Sequence, residues 1–133
     1  GQHWVWDGVS FRVLSPPPGQ KYLDNNSSCV LKISTTHQSL LLTGDIQKAA
    51  EQYLVLHEKK WLPSTVLMAP HHGSKTSSTL PFLKAVNAKK VIVSSGYYNR
   101  FHLPSSVVVS RYRQLGMTLQ NTAVGGALTV MLR

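Results

Sequence analysis

The 133-residue chain has one cysteine, five acidic residues and no long hydrophobic run. The lone Cys29 excludes an internal disulfide and any cysteine-rich zinc site. It lies in the apolar run Cys29-Val30-Leu31, where a buried free thiol is expected. A membrane-spanning helix needs roughly 20 successive apolar residues, and no run approaches that length. The opening stretch, GQHWVWDG, has neither a basic region nor a long apolar segment, so it does not read as a signal peptide. The scarcity of acid leaves 14 lysines and arginines unbalanced, a formal net charge of +9. That excess favours an anionic partner, with nucleic acid ahead of anionic lipid and phosphorylated small molecules. A basic surface kept for solubility is the alternative. The charges are scattered, with no arginine-rich helix and no zinc-finger spacing.

A hydrophobic content of 42% is that of a globular chain, and the length suits one domain. Residues 3–8 and 10–14 read as a hairpin around Asp7-Gly8. The loop Ser15–Gly19 carries three prolines, and Asp24–Ser28 is a second polar loop. Strands are expected at 29–35 and 39–43. A helix fits 46–58, where Ile46, Ala49, Ala50, Tyr53, Leu54 and His57 recur at three and four. Thr65–Ala69 and residues 91–94 are continuous apolar strands of the kind covered on both faces. A helix at 77–87 separates them. Ser105 would cap a third helix, 105–115, that stops at Gly116. Residues 117–120 and 127–132 complete the set as two final strands. The pattern is α/β, with a mixed sheet and about three helices.

Four polar clusters follow the carboxyl ends of expected strands: Asp45, His71-His72-Gly73-Ser74, Tyr97–His102, and Asn121-Thr122. Ligands of open α/β sheets bind along this edge. Asp45 has two readings there. It would cap the next helix, worth about 1 kcal/mol, or ligate a metal from a rigid strand end. Adjacent histidines in a Pro-His-His-Gly-Ser turn point to metal binding or catalysis rather than packing. His102 is either a surface residue or a third member of that set. His37, at a hairpin tip, and His57, on a helix, read as ordinary surface groups, and His3 is unassigned. Carboxylate plus imidazole suits zinc or manganese with a position left for water, whose pKa the ion lowers. These are few ligands for a two-metal centre, and no His-x-His-x-Asp-His cluster occurs.

The stretches NNSSCVLKI, LLLTGDIQKAAEQYL, VLMAPHHGSKTSSTLPFLKAV, VIVSSGYYNRFHLP and GGALTV occur in this order. Together, over roughly residues 4–132, they resemble the C-terminal half of the metallo-β-lactamase-like domain of the ComEC family of DNA-internalisation competence proteins. The resemblance implies an αββα sandwich, with residues 1–133 a C-terminal portion excised from a larger membrane protein. It implies that Asp45 bridges two ions and that His71 or His72 completes one site. Asp45, His72 and His102 would then be catalytic, with Asp45, His71 and His72 as metal ligands. Ser74, Lys75 and Arg100 would hold phosphate. Zinc or manganese is implied in the intact domain, with little or none held by this piece alone. The implied partners are single-stranded DNA, met by the basic surface, and the parent chain's transmembrane channel. The implied location is the bacterial inner membrane, with this domain soluble on its outer face. The implied activity is DNA uptake, with metal-dependent hydrolysis of phosphodiesters as one reading. The other is a non-catalytic DNA-guiding module with a degenerate site. Three departures stand out. The upstream histidine cluster is missing, a residue separates His102 from Pro104, and Asn121-Thr122 stands where the family has an acid.

Overall fold

A computed structural model describes residues 1–20 and 24–133. The hairpin forms as expected: β1 (His3–Trp6) pairs antiparallel with β2 (Val9–Ser15), and Trp6 faces Val9 across the Asp7-Gly8 turn. Both turn residues have positive φ, which glycine adopts freely and Asp tolerates. Strands β3 (Val30–Ser34) and β4 (Ser39–Leu42) extend the sheet antiparallel. From there the chain alternates: α1 (Lys48–His57), β5 (Val66–Met68), α2 (Leu80–Val86), β6 (Lys90–Val93), α3 (Ser106–Gln114) and β7 (Thr118–Asn121). The seven strands lie in simple sequence order, and β4 to β7 are parallel. The sheet is therefore mixed, as the order of strands and helices suggested.

Parallel neighbours joined through a helix take right-handed crossovers, which sets α1, α2 and α3 on one face. Leu41, Leu67, Val91 and Val93 on that face share one buried cluster with Ile46, Ala50, Leu54, Phe82, Leu83, Val108 and Tyr112. The opposite face holds Phe11, Val13, Leu31, Ile33, Leu40, Leu42 and Met68, half-buried, and Val66 and Ile92, buried, all outside that cluster. No helix among the described residues is long and apolar enough to cross a membrane.

Two expectations fail. Residues 127–132 are not a strand. After β7 the Asn121 side chain accepts from the Ala123 N–H and starts a single turn, α4 (Thr122–Gly125). The chain then runs out of register with the sheet and reaches the β3–β4 turn. There Thr35 donates to the Arg133 carbonyl, and the Arg133 N–H donates to Gln38. Cys29 is exposed rather than buried, because it stands one residue before β3 begins.

Candidate metal centre

All the candidate residues lie where β4, β5, β6 and β7 end, so the topology gathers them at one sheet edge. Asp45 does not cap α1. The N-cap position belongs to Gln47, whose own side chain makes no capping bond. Asn26, from the polar loop before β3, does the work instead: its Oδ1 accepts from the N–H groups of Gln47 and Ala50 at 3.0 and 3.1 Å. The Asp45 carboxylate is thereby left free of the helix end. The Asp45 N–H donates to Ser28 Oγ at 3.1 Å, and a Cβ on Gly44 (φ +56) would come within 2.9 Å of Ser28 Cβ. The strand end is thus pressed against the 24–28 loop, and glycine is what permits it.

The Pro70–Gly73 turn is left-handed at three successive residues: His71 (φ 49°), His72 (φ 56°) and Gly73 (φ 80°). Non-glycine residues there cost about 1–2 kcal/mol each, so neighbouring contacts must hold the turn. The His71 N–H donates to the Gly44 carbonyl at 2.9 Å, and Ser105 N–H donates to the Gly73 carbonyl at 2.9 Å. A Cβ on Gly73 would lie 2.6 Å from Pro104 Cβ. The turn is therefore clamped between the β4 end on one side and the Leu103-Pro104 segment on the other.

Clamping sends the two imidazoles to different places. The His71 ring is bracketed within the protein, with Nδ1 3.4 Å from Gln47 Nε2 and 3.3 Å from Thr76 Oγ1, and Nε2 3.5 Å from Asn25 Nδ2. His72 Nδ1 is 2.6 Å from the Ser94 carbonyl. A carbonyl only accepts, so Nδ1 carries the proton. Nε2 then lies 3.4 Å from Asp45 Oδ1, with both side chains about half exposed, at 47% and 42%. A neutral ring would aim a lone pair at a carboxylate there. A cation seated between the two would satisfy both the lone pair and the carboxylate. A carbonyl-oriented imidazole with Nε2 free beside a carboxylate is also how metal-ligating histidines are set.

The other candidates are near the edge without joining this pair. Among the described residues the His102 ring makes no hydrogen bond or ion pair, and its backbone N–H donates to the Asn99 carbonyl. Ser74 Oγ is 3.0 Å from Thr76 Oγ1, Lys75 is exposed, and the Arg100 guanidinium lies over the Phe101 ring. Among the described residues no group of three or more histidine, cysteine, aspartate or glutamate side chains is placed to share an ion. Asp45 and His72 are the two candidate donors the fold brings together, and their donor types fit a divalent ion.

Sequence reading passed over Glu51. This fully buried side chain accepts from the Ser78 N–H at 2.5 Å, the Thr79 N–H at 2.9 Å and the Thr79 hydroxyl at 2.6 Å. It ties the Ser78-Thr79 approach to α2 onto α1 and fixes the segment that leaves the histidine turn. Tyr112 completes the network: its hydroxyl is 2.6 Å from Ser78 Oγ, and Arg111 donates to the Ser78 carbonyl at 3.1 Å. Burial pushes the Glu51 carboxyl up despite these donors, and it also pushes the Tyr112 hydroxyl up. The available signal was an acid beside Ala50 and one turn before Leu54, on the apolar face of the helix.

No family model matches the chain. It is 40% identical over 130 residues to the uncharacterized protein YcaI of Escherichia coli, 98% of this chain and 17% of that protein. It is 42% identical over 127 residues to competence protein ComA of Neisseria gonorrhoeae, 96% of this chain and 18% of that one. Recombination protein 2 of Haemophilus influenzae matches at 36% over 130 residues, 98% and 16% respectively. The chain thus spans about a sixth of the length of these relatives. Among solved structures, a Thermotoga maritima protein of the metallo-β-lactamase superfamily aligns with a TM-score of 0.48 and 15% identity, over 82% of this chain and 55% of that one.

Proposed function

The chain is homologous, over nearly its whole length, to one segment of the ComEC family of competence proteins, and from that premise we propose that it is the C-terminal portion of a metal-dependent phosphodiesterase domain serving DNA uptake. The observation that carries this is the Asp45–His72 pair, with His72 Nε2 turned to the carboxylate by the Ser94 carbonyl. Asp45 and His72 would hold the ion, and the remaining ligands would come from outside this chain. The His71 ring, bracketed by Asn25, Gln47 and Thr76, positions the turn rather than the ion.

A divalent ion held by Asp45 and His72 would supply Lewis acidity to a phosphoryl oxygen and to water. This chain's own groups do the rest. Ser94 and the Gly44–His71 hydrogen bond fix the two ligands relative to each other. Lys75 and Arg100 would hold phosphate oxygens, Ser74 would add a hydroxyl donor, and His102 would give a proton to the leaving oxygen. The +9 charge draws the polyanion to this edge.

The test is manganese- or zinc-dependent cleavage of a single-stranded oligonucleotide by the full-length protein that contains this segment. Asp45→Ala and His72→Ala should each reduce the rate by more than the roughly 10–100-fold that outer-shell partners are worth. Unchanged cleavage in either variant, or none in the metal-loaded parent, would sink the enzymatic reading. The chain alone should bind either ion weakly. Sub-micromolar affinity that disappears in Asp45→Ala would show the site to be more complete than two ligands.

A further inference from the structure

The loop from the end of β6 to α3 carries three rings in solvent: Tyr97, Tyr98 and Phe101 are 75%, 89% and 66% exposed. Aromatic side chains usually bury their large apolar surface. This loop is closed in a way that keeps them out. Asn99 turns inward, its amide nitrogen donating to the Gly96 carbonyl at 3.1 Å and the Leu103 carbonyl at 2.8 Å. Its carbonyl oxygen accepts from the Leu103 N–H at 2.8 Å. The one polar amide side chain is spent on bracing, and the rings are left for something else. Beyond the brace, Pro104 sits against Gly73 and Ser105 bonds to its carbonyl, so the loop is fixed to the histidine turn.

The rings are also ordered among themselves. Tyr97 and Tyr98 pack edge to face with centroids 4.4 Å apart, and the Arg100 guanidinium lies over Phe101, 4.7 Å from its centroid. Rings and a guanidinium held rigidly in water match the two things an unstacked base offers, a π face and a neighbouring phosphate. A duplex hides its base faces, so it cannot use such a surface.

We propose that the Tyr97–Phe101 loop is a stacking platform that seats the bases of a single strand beside Asp45 and His72. It rests on the reading above for the class of substrate. A membrane interface also takes aromatic rings, but here insertion would carry the half-exposed Asp45 and His72 toward lipid, and burying a carboxylate is costly.

The experiment measures binding of the 133-residue chain to a fluorescent oligothymidine 15-mer in EDTA, at low and moderate salt. Working without metal separates this inference from the hydrolytic one. Failure of the parent to cleave leaves ring-dependent binding as it was, and ring-independent binding leaves cleavage to its own test. The comparison ligands are an abasic strand of equal length, a duplex, and vesicles containing phosphatidylglycerol. Oligothymidine should bind at least tenfold more tightly than the abasic strand. Tyr98→Ala and Phe101→Ala should each weaken it about tenfold or more without moving the abasic value, and Tyr98→Phe should bind like the parent. Thermal melts of these surface variants should match the parent, which keeps the comparison clean. Three outcomes overturn the proposal. Oligothymidine and abasic strand bind alike, the alanine variants bind oligothymidine undiminished, or the rings drive vesicle binding while oligothymidine is ignored.

Discussion

Lys32 and Glu51 are charged side chains that the fold takes out of water, and each has a measurable consequence. Lys32 lies on the helix-covered face, donating to Ser39 Oγ at 3.0 Å, Ser64 Oγ at 2.6 Å and the Pro63 carbonyl. Burial lowers its ammonium from 10.5 to about 8. Between those values the unfolded chain binds more protons, so stability rises with pH across that window. The rise from pH 7.5 to 10.5 should be on the order of 1–3 kcal/mol greater in the parent than in Lys32→Met, compared by urea midpoints. Equal slopes would contradict the assignment. Glu51→Ala would strand three donors in the interior and should cost about 2–4 kcal/mol in the same assay. Because burial raises the Glu51 carboxyl, its titration adds a separate share of stability, fully present below the unfolded value near 4.3 and lost as pH rises through the folded one. Periodicity scored Ala50 and Leu54 as core but had no place for the acid between them. Nor did sequence distinguish His71 from His72. Both have left-handed backbone, and only the partners each ring meets, Gln47 or Ser94, tell them apart.

At the scale of elements, runs such as Leu40-Leu41-Leu42 and Val91-Ile92-Val93 were legible because turn residues bound them on both sides. The 127–132 segment misled because Leu128, Val130 and Leu132 do alternate with exposed residues, as a strand would. What it lacks is a ladder partner, since α4 intervenes. The start of α1 was misplaced for a different reason: its cap, Asn26, lies 21 residues earlier than Gln47 and no local pattern reveals it. Asn26→Ala should therefore destabilise the fold by about 1–2 kcal/mol, whereas Asp45→Ala, which caps nothing, should leave the urea midpoint nearly unchanged. The histidine turn makes a sharper case. Gly73→Ala combines a positive φ with a 2.6 Å approach to Pro104. It should lower stability by about 1–3 kcal/mol, and under the proposed function it should also weaken metal binding by the full-length protein, although residue 73 offers an ion no donor. Equilibrium unfolding and metal titration would read the two effects separately.

For the whole molecule, adjacent leucines of β4 report on the two sides of the sheet. Leu41 is fully buried under the helices, and Leu41→Ala should cost about 2–5 kcal/mol. Leu40 belongs to the helix-free face with Ile33, Phe11 and Trp4, which share its register row. We propose that a second layer, contributed by another part of the parent, covers that row. The isolated chain should then self-associate, as light scattering would show, and Leu40→Lys should suppress this while moving the urea midpoint by less than about 1 kcal/mol. A monodisperse isolated chain would speak against a missing layer. The strand order adds a further consequence. Every strand from β2 to β7 lies against the one made just before it. A nascent chain emerging from the ribosome can therefore lay down the sheet as it grows, with no strand waiting for a neighbour synthesised later. Asp45 is in place before the histidine turn arrives, and the aromatic loop comes after both. The edge where carboxylate, turn and rings meet is assembled in the order of translation.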